Sequence, residues 1–245
     1  MRKLFALALL CTPLFASADC TEHLQAWAKT VRADLKLDSE HAVCKINPGN
    51  PAQTLAALPF AENVDENGQG DYGLGVIVAD SATGKIVARH YQRSAIVSDA
   101  IYFDGLALDT ARYQLTPTLR AFGVRISHEG SSRVNPLSST RLNLYVLDGQ
   151  SVRPVMDPLE VRSSSADWDG TCNGDFTRIE RMISIPDKGR NGWASLRVEQ
   201  KTVHTKNVAK GDDCETVERL PYVSRFTLEY DGKRYPLPET LLRSW

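Results

Sequence analysis

Leu142-Asn143-Leu144-Tyr145-Val146-Leu147-Asp148-Gly149-Gln150-Ser151-Val152-Arg153-Pro154-Val155-Met156 is the stretch that decides the fold. Two apolar runs flank Asp148-Gly149. Asp-Gly between such runs is a strong hairpin signal, because the primed turns need positive φ, which glycine adopts without a steric penalty. The form recurs at residues 225–230, Asp231-Gly232 and 233–237. A looser version begins at Tyr72, where Leu74, Val76 and Val78 continue a period of two. Asp80-Ser81-Ala82-Thr83-Gly84 then turns the chain, and residues 86–91 return. Residues 106–115, 119–127, 176–185 and 194–203 are further strand-like runs, with Phe122, Val124 and Ile126 forming the apolar face of the second.

Together these predict about ten strands separated by turns and no long helix between them. Parallel pairing needs crossover connections of helical length, so the sheets are antiparallel. The expected fold is mainly β: an antiparallel β-sandwich or barrel built from hairpins, with a short N-terminal helical segment. A partial propeller-like arrangement is the alternative, since the turn at residues 80–85 resembles one between blade strands.

The N-terminal segment reads differently. Leu24, Trp27, Ala28, Val31 and Leu35 recur at helical spacing, which predicts an amphipathic helix over residues 21–35. Asn50 followed by Pro51 looks like an N-cap and first-turn proline, predicting a second short helix through about Leu58. Asp65-Glu66-Asn67-Gly68-Gln69-Gly70 is a polar break. The expected division is a signal peptide at residues 1–18, a helical N-terminal segment at 19–64 packed on the main domain, and an antiparallel β domain at 65–245.

The leader is read from Arg2 and Lys3, an apolar run to Phe15, and Ala16-Ser17-Ala18 at the cleavage position. It predicts a periplasmic or secreted protein that does not span the membrane after cleavage. Lys and Arg total 29 against 30 Asp and Glu. Losing Arg2 and Lys3 removes positive charge, so the basic surplus of a nucleic-acid binder is missing. Of 5 cysteines, Cys11 leaves with the signal. Cys20, Cys44, Cys172 and Cys214 remain, and four cysteines allow three connectivities. The pairs nearest in sequence, Cys20–Cys44 and Cys172–Cys214, are the expected disulfides. Each closes a loop that stabilises by roughly 3.5–4 kcal/mol in the chain-entropy model.

No metalloprotease, Walker or dinucleotide pattern occurs, so no cofactor is expected. Asp169-Gly170-Thr171-Cys172-Asn173-Gly174-Asp175-Phe176-Thr177-Arg178-Ile179-Glu180 matches a calcium loop, with Asp169, Thr171, Asn173 and Glu180 as candidate ligands. Against it, no helix pattern precedes the loop, and a disulfide would sit inside it. The favoured reading is a turn into a strand with no metal. His128-Glu129-Gly130-Ser131-Ser132-Arg133-Val134-Asn135-Pro136 is a polar loop between strands. A hydrolase acting on a cell-envelope polymer would pair Ser131 or Ser132 with His128, but the nucleophile-elbow pattern is absent.

Cys44-Lys45, Ala121-Phe122-Gly123-Val124-Arg125 and Gly130-Ser131-Ser132-Arg133-Val134-Asn135-Pro136 resemble segments of exported proteins of Gram-negative bacteria that carry no assigned function. The resemblance implies a compartment and no activity. The functional expectation is therefore a non-catalytic binding protein acting on a protein or cell-envelope partner: an inhibitor, a toxin-neutralising factor or an envelope accessory factor. Trp168, Arg133, Asn135 and His128 are the candidate binding residues, since loops on rigid scaffolds carry function and Trp and Arg anchor interfaces. The alternatives are the envelope hydrolase and a calcium-stabilised secreted domain.

Overall fold

The computed structural model describes residues 20–186, 189 and 192–242. The expected signal peptide at residues 1–18 and its expected cleavage before Asp19 lie outside the described residues. A 3-10 turn, Cys20–His23, leads into α1 (Leu24–Arg32). The strands follow as β1 (Lys36–Leu37), β2 (Val43–Ile46), β3 (Gln53–Val64), β4 (Gly70–Asp80), β5 (Ile86–Ser98), β6 (Ile101–Gln114) and β7 (Arg120–Gly130). They continue as β8 (Leu137–Asp148), β9 (Ser151–Pro154), β10 (Leu159–Trp168), β11 (Gly174–Ser184), β12 (Leu196–Lys210), β13 (Asp213–Glu218) and β14 (Tyr222–Leu228), before α2 (Glu239–Leu242).

The 14 strands among the described residues belong to one hydrogen-bonded sheet. It is folded over without closing, so the molecule is a sandwich rather than a barrel. Neighbouring strands pair antiparallel. The exceptions are two isolated parallel bridges, Arg89 with Ser151 and Met156 with Tyr235. Strand β9 joins the halves: it pairs antiparallel with β8 and touches β5 through that single bridge at Arg89.

Three apolar cores explain which residues became strand. Between the halves, Leu55, Tyr72, Leu74, Val76 and Val78 from β3 and β4 meet Phe103, Phe122, Val124, Ile126 and Tyr145 from β6, β7 and β8. The outer face of β3 and β4 buries Ala56, Leu58, Phe60, Ile77 and Ala79 against Leu24, Trp27 and Ala28 of α1. A third core lies on the other face of β8, where Leu142, Leu144 and Val146 pack with Leu159, Leu196, Tyr235 and Leu237. Strands β3, β4 and β8 are thus covered on both faces. Full burial of a side chain such as Leu58 or Phe60 contributes roughly 1.5–3 kcal/mol.

The helix expected from the stripe at residues 24–35 forms, opening with the 3-10 turn and ending at Arg32. Trp27 Nε1 donates to the Gly84 carbonyl at 2.7 Å, tying α1 to the β4–β5 turn. The second expected helix does not form. Asn50 closes one turn, with its carbonyl accepting from Gln53 N at 2.9 Å, and β3 starts at Gln53. The physical reason is burial on both faces. Thr54 to Phe60 is a continuous buried run with no alternation, and antiparallel pairing with both β2 and β4 satisfies its backbone. The segment 19–64 is therefore helical only over Cys20–Arg32, and β3 is an interior strand of the sandwich.

The hairpin at Asp148-Gly149 forms as β8–β9. Only Gly149, the first of the two central residues, has positive φ, at 61°. That is the glycine-first class of hairpin turn, with Asp148 flanking it. The hairpin expected around Asp231-Gly232 is a turn without a return strand. Tyr235 bridges to Met156, and its hydroxyl donates to the Ala194 carbonyl at 2.6 Å. Tyr235 and Leu237 are needed to cover the third core, so residues 233–237 leave β14.

Both expected disulfides are present, Cys20–Cys44 with Cα atoms 6.1 Å apart and Cys172–Cys214 at 5.5 Å. Two such bonds persist only outside the reducing cytoplasm in an ordinary cell. No helix among the described residues is long and apolar enough to cross a membrane.

Candidate functional site

The feature that positions a site is a change in the inner face of β8. Residues 137, 139, 141, 143 and 145 share that face by alternation. Tyr145 sits in the core between the halves, but the three inward positions before it are Asn143, Arg141 and Ser139. Their partners across β7 are Val124, Ile126 and His128. A polar row thus faces inward where the two halves separate. The resulting cleft, about 360 Å³, has an apolar floor of Leu74, Ile126 and Leu137. Its polar lining comes from His128, Ser139, Arg141 and Asn143 on one wall, with Gln92, Ser94 and Asp99 opposite.

The opposite wall is β5, and its shape is imposed. Ser94 has φ of 43° and is the one non-glycine with positive φ among the described residues. It lies in a bulge, where Tyr72 and Leu74 of β4 pair with Ile96 and Gln92. Such a conformation costs about 1–3 kcal/mol and persists only where the surroundings hold it. Glu62 does the holding. Its Oε2 accepts from Ser94 N at 2.8 Å and from Ser94 Oγ at 3.2 Å, while its Oε1 accepts from the Tyr91 hydroxyl at 2.5 Å. Burial pushes the Glu62 carboxyl up, but the bonds from Tyr91 and Ser94 and the nearby Arg93 outweigh it, and the net shift is downward. Gly73 completes the device, since a Cβ there would overlap the Tyr91 hydroxyl.

His128 stands within the cleft. Its Nε2 donates to the Val97 carbonyl at 3.0 Å, since a carbonyl can only accept. Burial lowers its pKa below the ordinary histidine value; the Val97 carbonyl pulls upward, Arg141 pushes further down, and Asp99 and Asp104 oppose it. The ring is therefore neutral near pH 7. Among the described residues the side chains of Arg141, Ser139 and Asn143 make no hydrogen bond or ion pair, although Ser139 and Asn143 are each only 8% exposed. Glu160, in register with Arg141, is committed elsewhere: it pairs with Arg181 at 3.4 Å, and both side chains are buried.

The other candidate residues gather at one end of the sandwich. Trp168 closes β10, half-buried opposite Gly174, and its N donates to the Val134 carbonyl at 2.8 Å. A Cβ at Gly174 would come within 2.9 Å of the Trp168 ring, so glycine makes its seat. Arg133 and Asn135 are exposed in the adjoining loop, where Asn135 N donates to Ser132 Oγ at 3.0 Å. Trp168 is thus brought beside the loop that carries Arg133 and Asn135, while His128 points into the cleft. Ser131 N donates to the Ala100 carbonyl at 3.4 Å, linking that loop to the turn at the cleft mouth.

The twelve residues matching a calcium loop are spread out. Asp169 Oδ1 accepts from Thr171 N at 2.8 Å, Thr171 Oγ1 at 2.9 Å and Asn173 N at 3.1 Å. Its Oδ2 accepts from Asn173 Nδ2 at 2.8 Å. The Thr171 and Asn173 donors hold this carboxyl down at about 2. Glu180 lies inside β11, 3.8 Å from Arg162, and is not brought to Asp169.

No protein-family model, curated protein or solved structure matches this chain. Sequence reasoning missed Arg141, Asn143, Ser139, Glu62 and Ser94. The available signal was the interruption of an apolar face in β8, since Ser139, Arg141 and Asn143 alternate with Leu142 and Leu144.

Proposed function

We propose that this is an exported, non-catalytic binding protein of the periplasm or extracellular space. The cleft between the two halves of its sheet takes the ligand, and the end bearing Trp168, Arg133 and Asn135 meets the partner. One observation carries the reading: three polar side chains, Ser139, Arg141 and Asn143, face a cleft with their hydrogen-bonding capacity unspent. Arg141 is exposed and the polar atoms of Ser139 and Asn143 are not sealed from solvent, so their donors and acceptors, now left to water, are open to a ligand. The strained rim at Ser94 supports the same site, because such strain collects at ligand clamps. Export is supported by the leader at residues 1–18 and by the two disulfides.

The hydrolase alternative has less support. His128 Nε2 is engaged by Val97 and Ser132 Oγ by Asn135 N, so neither is poised on the other. The test is native mass spectrometry of the tagged protein isolated from the cells that export it. A bound component should be present, and it should be lost in Arg141→Trp, which fills the cleft mouth from an exposed position. Trp168→Ala should weaken the partner contact. Hydrolysis of an envelope polymer that disappears in His128→Ala, Ser131→Ala or Ser132→Ala would overturn the proposal.

A further inference from the structure

We infer that the cleft binds a short peptide as a zwitterion, with Arg141 taking its terminal carboxylate and Asp99 its terminal ammonium. The inference rests on the cleft being the ligand site and adds the class of ligand.

Four observations converge on that chemistry. First, the cleft holds two opposite charges that do not satisfy each other. Arg141 and Asp99 both line it, as His128 does, and neither makes an ion pair among the described residues. A ligand with both charges, separated by a few bonds, would satisfy both residues at once. A guanidinium meets a carboxylate with two parallel N–H donors.

Second, the neutral polar groups suit an amide. Asn143 and Gln92 each carry a donor and an acceptor, and neither side chain is spent on the described residues. A peptide bond offers one of each in return.

Third, the β5 wall is a sheet edge to which no further strand is paired along the cleft among the described residues. Beyond its single bridge at Arg89, β5 pairs only with β4. An extended peptide can pair with such an edge, using main-chain hydrogen bonds for affinity and side-chain pockets for selectivity. The Val97 carbonyl at this edge already accepts from His128.

Fourth, the floor of Leu74, Ile126 and Leu137 is apolar, which selects a hydrophobic side chain. A volume of about 360 Å³ accommodates a ligand of dipeptide size. It lies near the lower end of the range for small-molecule sites, roughly 300–1,000 Å³.

The experiment uses the secreted chain with both disulfides intact, titrated with Leu-Leu, N-acetyl-Leu-Leu and Leu-Leu-amide. Binding is read by calorimetry and by backbone amide chemical shifts. Free Leu-Leu should bind and move the signals of His128, Ser139 and Asn143. Blocking either terminus should weaken binding about tenfold or more, the scale of one charge-assisted contact. Arg141→Gln should remove the preference for a free carboxylate and keep that for a free amine. Asp99→Asn should do the reverse; Asn preserves the acceptor that caps Ile101 N at 2.8 Å, so the turn survives.

If the blocked peptides bind as well as Leu-Leu, the zwitterion is wrong, although the cleft still binds. If no peptide binds to the unaltered protein, the peptide class is overturned. The binding-protein reading is then judged separately, by whether the natively isolated protein carries a component that Arg141→Trp removes.

Discussion

Removing either partner of the Glu160–Arg181 pair should destabilise the protein far more than removing both. The two side chains are 2% and 3% exposed, with Nη1 3.4 Å from Oε1. Arg181 also donates to the Glu160 carbonyl at 2.6 Å and to Gln200 Oε1 at 2.8 Å. Among the described residues Glu160 Oε2 has no hydrogen-bond partner, so the carboxylate is desolvated with half its capacity unmet. Burial lowers the Arg181 pKa, and the attraction of Glu160 opposes that shift only in part. Such pairs cost about 3–5 kcal/mol when one member is lost, because a charge is left buried. Glu160→Gln and Arg181→Met should each show that loss. The double variant Glu160→Met with Arg181→Met should lie within about 1 kcal/mol of the parent or above it. Urea unfolding with disulfides intact measures this. With a slope of about 3 kcal/mol per molar, each single change lowers the midpoint by roughly 1–1.7 M. A single change costing under about 1 kcal/mol, or a double variant as unstable as the two singles combined, would show that the charges are not coupled in a dry interior.

Peptide mapping without reduction should recover Cys20 linked to Cys44 and Cys172 linked to Cys214; crossed linkages or free thiols would contradict the pairing. Glu62→Ala should free the Ser94 bulge, seen as faster amide exchange over residues 91–97 and weaker ligand binding. Because the folded Glu62 pKa lies below its ordinary value, its stabilisation is complete above the ordinary carboxyl range and is lost as pH falls through the folded value. Acid should therefore loosen the same residues, and an unchanged exchange pattern at low pH would contradict this. Trp168→Ala and Arg133→Ala should leave the urea midpoint nearly unchanged while weakening partner capture by about 1 kcal/mol or more. Unfolding of Trp168→Ala would show that the ring is core. Calcium in excess should leave the melting temperature unchanged, since Asp169 is spent on its own turn; a rise that Asp169→Ala removes would mean that the turn opens for the ion.

The sequence was most legible where one face of an element meets a core and the other meets water or polar groups. The stripe Leu24, Trp27, Ala28 is such a case, as is the alternation Phe122–Val124–Ile126; Tyr72–Leu74–Val76–Val78 was legible although β4 is covered on both faces, because Gly73 and Gly75 mark its other face. It misled where burial is two-sided. Thr54 to Phe60 has no period to read, and Asn50-Pro51 ahead of it with Pro59 near its end imitate the punctuation of a helix. Only the neighbours β2, β4 and α1 reveal that it is a strand, and they are distant in sequence. Residues 233–237 failed for a related reason. Local turn chemistry favoured a hairpin, but burying Tyr235 and Leu237 in the third core outweighed it. The site was hidden by the same logic: Arg141 and Asn143 sit among leucines in a strand that is otherwise covered on both sides, and alternation alone assigns them to a solvent face. The structure places that face at an open cleft between two halves of a sandwich, with Arg141 exposed and Ser139 and Asn143 largely buried behind it. Apolar residues at 139, 141 and 143 would have extended the core already built by Tyr145, Val124 and Ile126. The strand instead keeps three polar groups there, opposite a rim that holds Ser94 in a strained conformation. Neither feature improves the packing of the core, which is the ground for proposing that the cleft takes a ligand.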